Sequence, residues 1–294
     1  MEKYARVDFH DQISRNKWKS VFLMFIVFSV LVLFGYVISF AFEPGFFFII
    51  MIISIVFSLS YVWISFYNSG KIAVASVGAH KASRGNYKEY YDLVEALTLA
   101  SGLAMPKLYV MDSQQINAFA SGRDPQNAVI CVTKGALEKL DRHELEGVLA
   151  HELGHVANYD IRYITLVTVM VGMISIISQM FLRSLWFRSG DNNNKNNIFL
   201  IIGIVMAILA PIVVQLVQLG ISRKREFSAD ATAVKFTRYP SGLIKALEKI
   251  KKDVVEPEKR VSKAIAPLFF ANPFKGLTST HPPLDKRIEV LKRM

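Results

Sequence analysis

Apolar residues fall into four long stretches, at residues 21–42, 46–67, 164–182 and 198–219. Each is about 19 residues or longer, enough to cross a bilayer as a helix. Only Glu43, Pro44 and Gly45 separate the first two, so these read as an antiparallel hairpin. Trp18, Tyr61, Trp63 and Tyr67 lie near segment ends, where amphipathic rings favour the membrane interface. The second pair is less regular. A polar connector with Asn192, Asn193, Asn194, Asn196 and Asn197 joins its members, and Pro211, Gln215 and Gln218 interrupt the fourth. It reads as a second membrane hairpin or as two buried core helices, and its length favours the membrane.

Between and after these pairs the periodicity changes. Leu93, Ala96, Leu97 and Ala100 form a one-sided stripe that predicts a helix over 86–100, ending near Ser101-Gly102. Residues 107–111, 116–120 and 128–132 read as short strands, the last two forming a hairpin around the turn residues 121–125. Asp141 with Glu144 three residues on predicts a capping box, opening a helix whose apolar face is Leu145, Val148, Leu149, Leu153 and Val156. The organisation expected is an N-terminal segment 1–20, a membrane hairpin 21–67, a first part of a folded domain 68–163, a second apolar hairpin 164–219, and a second part 220–294. The class is α+β on about four transmembrane helices.

Composition agrees with a membrane protein: 52% of the residues are hydrophobic, with 21 Phe. One cysteine, Cys131, excludes an internal disulfide and a Cys-based zinc finger. In a predicted strand it reads as a small buried side chain. The net charge of +11 is scattered, without the basic stripe that nucleic acid would need, so no nucleic-acid partner is expected. Its distribution instead orients the chain. Lys3, Arg6, Arg15, Lys17 and Lys19 precede the first segment, Lys71, Lys81, Arg84 and Lys88 follow the second, and Arg223, Lys224 and Arg225 follow the fourth, while the first hairpin tip has no positive charge. Both termini and the domain are therefore expected in the cytoplasm. Arg183, Arg188 and Lys195 in the other connector count against that placement.

The predicted helix after Asp141 carries His151-Glu152-Leu153-Gly154-His155. Histidines at i and i+4 project from one face, close enough to grip one Zn²⁺, and the intervening Glu152 can serve as general base toward water that zinc acidifies to a pKa of about 7. A catalytic zinc needs three protein ligands and one open position. Glu226 is the choice for the third, with Asp230 on the same helical face to hold the far nitrogen of a ligating His. Taken alone, Glu226-x-x-x-Asp230 reads as a solvated helix face; the missing ligand selects it. His10, His80 and His143 lack such a pattern.

His151-Glu152-x-x-His155, followed about 70 residues later by Glu226-x-x-x-Asp230 across two apolar segments, resembles the HtpX family of membrane-bound zinc metalloproteases, which is related to CAAX prenyl proteases. The likeness extends to Asn117-Ala118-Phe119-Ala120 and to His281-Pro282-Pro283-Leu284-Asp285-Lys286-Arg287. It implies a zincin-type (gluzincin) domain holding one Zn²⁺ per chain. It also implies a multi-pass endopeptidase of the bacterial plasma (inner) membrane, active in protein quality control on peptide and membrane-protein substrates, with other membrane proteases as partners. Through it Asn117, Ala118, Phe119 and Ala120 take the role of an edge strand for substrate, against the alternative of an ordinary hairpin strand. His281 becomes an oxyanion donor or a structural residue before a terminal helix, and Arg287 a partner of Asp230 or a solvated side chain. A site-specific peptidase of the prenyl-protease kind, or a scaffold with a structural metal helix, is the competing reading.

Overall fold

A computed structural model describes residues 9–39, 43–168, 223–253, 268–271 and 282–294. Helix α1 (Phe9–Ser39) and helix α2 (Phe47–Ser76) pack side by side, joined through a 3-10 turn at Pro44–Phe46. Among the described residues these are the two helices long and apolar enough to cross a membrane, at Ile13–Val37 and Pro44–Ser76. Their flanks leave Phe22, Phe25, Phe48, Ile52 and Trp63 exposed, with Phe48 74% accessible. An apolar surface of that kind calls for hydrocarbon around it. Beyond residue 168 the second apolar pair lies outside the described residues, as does His281.

Helix α2 does not stop at residue 67. Its last turns bury Ser69, Gly70, Ala73 and Val74, and the two apolar ones join Met111, Phe119, Val129 and Cys131 in a core cluster. Small side chains let the helix end lie directly on the sheet, so the second apolar helix is continuous with the domain below it.

The sheet comprises β1 (His80–Lys81), β2 (Lys107–Met111), β3 (Ala118–Gly122) and β4 (Ala128–Thr133), in the order β1-β2-β4-β3. β2 and β4 run parallel, and the outer pairs are antiparallel. The predicted hairpin forms with its first strand two residues late, because the backbone amides of Ile116 and Asn117 donate to Asp253 Oδ2 at 3.1 Å and Thr133 Oγ1 at 3.0 Å. Two residues of β1 are too few for any alternation to reveal. Helix α3 (Lys88–Ser101) ends where Gly102 adopts φ +72°, a left-handed cap that favours glycine.

After the short α4 (Lys134–Lys139) comes α5 (Arg142–Ala157), whose start is a capping box: Asp141 Oδ1 accepts from Glu144 N at 2.9 Å, and Glu144 Oε2 from Asp141 N at 2.8 Å. The sequence marks one apolar face on α5, yet it is buried all round from Gly147 to Val156. Helices α6 (Arg223–Thr237) and α7 (Ser241–Lys252) cover its other sides. A Cβ on Gly147 would sit 2.5 Å from Leu243 N, so the α5–α7 approach requires glycine there. Helix α8 (Leu284–Leu291) closes against α6 and α7. The domain is mostly helical with a small mixed sheet, and α5 runs through its centre.

Candidate metal centre

Burial of α5 places His151, Glu152 and His155 at 0%, 2% and 8% exposure, facing α6, where Glu226 is 4% exposed. His151 Nε2 and His155 Nε2 lie 3.1 Å apart, and Glu226 reaches them at 3.8 Å (Oε2 to His151) and 3.6 Å (Oε1 to His155). Ligands about 2.0–2.1 Å from a tetrahedral zinc stand about 3.3 Å from one another, so the triangle has the dimensions of one ion's coordination face.

The outward nitrogens define the tautomers. His151 Nδ1 is 2.8 Å from Asp230 Oδ1, and His155 Nδ1 is 3.1 Å from Asp160 Oδ2. Ionised carboxylates only accept, so each Nδ1 carries a proton. Two Nε2 atoms then converge 3.1 Å apart, an arrangement that requires a cation between them, either a proton or a metal. Burial, reinforced by the Arg287 charge, takes His151 down to about 4. Burial pulls His155 the same way, but the Asp160 hydrogen bond and the charges of Glu226, Asp160 and Glu152 outweigh it and carry His155 up to about 9. Without metal the shared proton therefore belongs to His155, and an N, N, O donor set in a negative field is suited to zinc.

Asp230 is held as an anion. Burial acts to raise its carboxyl, but Arg287 brings it below the usual carboxylate range. The guanidinium grips it with two bonds, Nε to Oδ2 at 2.9 Å and Nη2 to Oδ1 at 2.7 Å. Arg287 is itself fully buried, 3.5 Å from Glu226 Oε2 and stacked 4.7 Å over the Phe270 ring, which meets the His151 ring edge-on at 4.8 Å. The structure thus brings together His151, His155, Glu152, Glu226, Asp230 and Arg287.

Asp160 is the member that the sequence motifs leave out. It stands five residues after His155, beyond a helix break in which Tyr159 takes φ +58°, so no helical spacing points to it. The one available signal is an acidic residue directly after the metal helix.

Glu152 is raised by burial to about 7, opposed by His155 and supported by Glu226. Its Oε2 accepts from the backbone amide of Ala120 at 2.7 Å, which ties the metal helix to β3. β3 is the sheet's edge, yet three of its outward backbone groups are engaged. Ala118 O accepts from Phe270 N at 2.8 Å, Ala120 N donates to Glu152, and Gly122 N donates to Thr165 Oγ1 at 3.3 Å. Asn117 adds a clasp: its Nδ2 donates to Ala271 O at 2.7 Å and its Oδ1 accepts from Ala271 N at 3.0 Å. Residues 268–271 therefore lie where a peptide paired with β3 would lie, and Leu268, Phe269 and Phe270 line a cleft with Ala120, Glu152 and Glu226. Cys131, 1% exposed within β4, has its thiol pushed far up by burial and plays no part. His80 and His143 are exposed and remote from this cluster.

The sequence profile of Peptidase family M48 matches residues 87–294. A Protease HtpX homolog of Dictyoglomus thermophilum is 42% identical over 290 residues, covering 97% of this chain and 95% of that protein. Protease HtpX homologs of Caldanaerobacter subterraneus and Streptococcus pneumoniae are 42% and 37% identical, covering 92% and 97% of this chain and 93% and 99% of their own. Among solved structures, S. mikatae Ste24p aligns with 95% of this chain and 66% of its own at 19% identity and TM-score 0.49, too distant to bear on the fold.

Proposed function

Because the chain belongs to Peptidase family M48 and is a membrane metalloprotease, we propose that it is a zinc-dependent endopeptidase cleaving misfolded and membrane proteins on the cytoplasmic side. The observation that carries this is the convergence of two histidine lone pairs and the Glu226 carboxylate, with Glu152 beside them. His151, His155 and Glu226 would hold the metal, which supplies a Lewis acid and an acidified water when bound.

The chain's own residues do the rest. Glu152, whose carboxyl titrates near neutrality, takes the proton from the attacking water and delivers it to the leaving amine. Asp230 and Asp160 hold the two imidazoles with Nε2 inward, and Arg287 keeps Asp230 charged. An extended substrate pairing with β3 takes over Ala118 O and Ala120 N, so it must displace residues 268–271 and release Glu152 from the Ala120 amide. His281 is assigned the stabilisation of the developing oxyanion, as the family resemblance implies. The basic flanks of α1 and α2 and the bare hairpin tip support the cytoplasmic placement, and a role in quality control is what the family resemblance implies.

The test is zinc content and casein cleavage by detergent-purified protein. Wild type should hold one zinc and cleave. Glu152→Gln should hold zinc and lose cleavage by about 1,000-fold or more, and Glu226→Ala should lose tight zinc. One tight zinc retained in Glu226→Ala removes the third ligand, and cleavage by zinc-loaded Glu152→Gln removes the base.

A further inference from the structure

The carboxylate that orients His155 is itself positioned from outside the metalloprotease domain. Asn16, on the first apolar helix, lies 142 residues from α5's exit in sequence yet is 3% exposed. Its Nδ2 donates to Asp160 Oδ1 at 2.8 Å and to the backbone carbonyl of Asn158 at 3.2 Å. Both partners are acceptors, so the amide must present its NH₂ group, and both N–H bonds are used. Asp160 then spends its other oxygen on His155 Nδ1, and His155 Nε2 faces the metal position. The two bonds from Asn16 bracket Tyr159, the positive-φ residue at which the helix breaks. They therefore fix the carboxylate relative to the helix it must serve.

We infer that Asn16 is a positioning residue for the metal centre, acting through Asp160, so that the first membrane helix is part of the zinc site. Three features separate this role from simple helix packing. On α1, Ser20, Leu23 and Val27 continue the buried face that Asn16 begins, and the two apolar ones pack against Tyr163, Leu166 and Val167. An apolar side chain at position 16 would extend that face without the cost of burying an amide. Asn is also neutral, so it fixes Asp160 without cancelling the charge that draws on His155. Arg225 Nε stands 3.9 Å from the same Asp160 oxygen, within ion-pair range but beyond hydrogen-bond distance, so it adds charge beside Asp160 without replacing Asn16 as the donor that aims that oxygen.

The inference rests on the zinc-peptidase reading, and zinc affinity of the full chain tests the two apart. Affinity would be measured by chelator competition for wild type, Asn16→Leu, Asp160→Asn and the double variant, with melting temperature recorded for each. Asp160→Asn should weaken zinc binding about 10- to 100-fold, as for other carboxylates that orient a ligating His. Asn16→Leu should weaken it about 3- to 10-fold, and the double variant should bind no worse than Asp160→Asn, because Asn16 has no route to the metal except Asp160. Asn16→Ala, run through the same cycle, answers if the leucine variant does not fold. Unchanged zinc affinity with a lowered melting temperature would assign Asn16 to helix packing and overturn the inference. Losses that multiply in the double variant would also overturn it. Failure of wild type to bind zinc would instead overturn the peptidase reading.

Discussion

Replacing Asp230 by Asn removes one charge and one acceptor from a fully buried cluster, and the structure indicates the size of the loss. Oδ1 accepts from both His151 Nδ1 and Arg287 Nη2, and Oδ2 accepts from Arg287 Nε. An asparagine carbonyl can stand in for Oδ1, but its NH₂ then faces Arg287 Nε, donor against donor. Loss of the orienting carboxylate alone costs about 10- to 100-fold in metal affinity, or about 1.4–2.7 kcal/mol. The guanidinium, 0% exposed, is meanwhile left with Glu226 at 3.5 Å as its nearest remaining anion. Stranding a buried charge costs about 3–5 kcal/mol, and that cost falls on the fold whether or not metal is present. Asp230→Asn is therefore expected to bind zinc 10-fold or more weakly by chelator competition and to melt lower even when stripped of metal. Adding Arg287→Met should restore much of the metal-free melting temperature by removing the stranded charge, while zinc stays weakly bound. Unchanged zinc affinity and unchanged metal-free melting in Asp230→Asn would refute the reasoning.

Zinc must displace the proton that His155 keeps up to about 9, so apparent zinc affinity should rise with pH by up to about tenfold per unit between about 6.5 and 9. The sign for the metal-free protein is opposite: a folded pKa above the ordinary value of 6.5 gives stability that is complete below 6.5 and is lost as pH rises through 9. Melting of the metal-free protein should fall across the window in which zinc affinity climbs, and parallel trends would show that His155 does not hold the proton. A reporter fused after Met294 should be cytoplasmic and one at Gly45 external; an external C-terminus would refute the orientation drawn from the basic flanks.

What the sequence makes legible here is local. His151, Glu152 and His155 are visible because helical periodicity alone puts two imidazoles on one face, and the capping box at Asp141 and Glu144 dates the start of that helix. The first hairpin is visible because bilayer thickness sets the length of an apolar run. Asp160 is not visible: a single positive-φ residue, Tyr159, breaks the helix before it, and side-chain spacing carries no record of such a break. Asn16 is hidden for another reason. It sits among polar residues before the apolar window, where no motif or spacing singles it out, and the docking of α1 on residues 160–168 buries it. The edge strand shows a third kind of limit. A short run at 116–120 flanked by turn residues reads as a strand, but whether its outer groups at Ala118, Ala120 and Gly122 are open depends on Phe270, Glu152 and Thr165, which arrive from three other parts of the chain. Of these contacts the one to Glu152 matters most, since the amide that an incoming peptide carbonyl would accept from is the same amide that holds the proposed base.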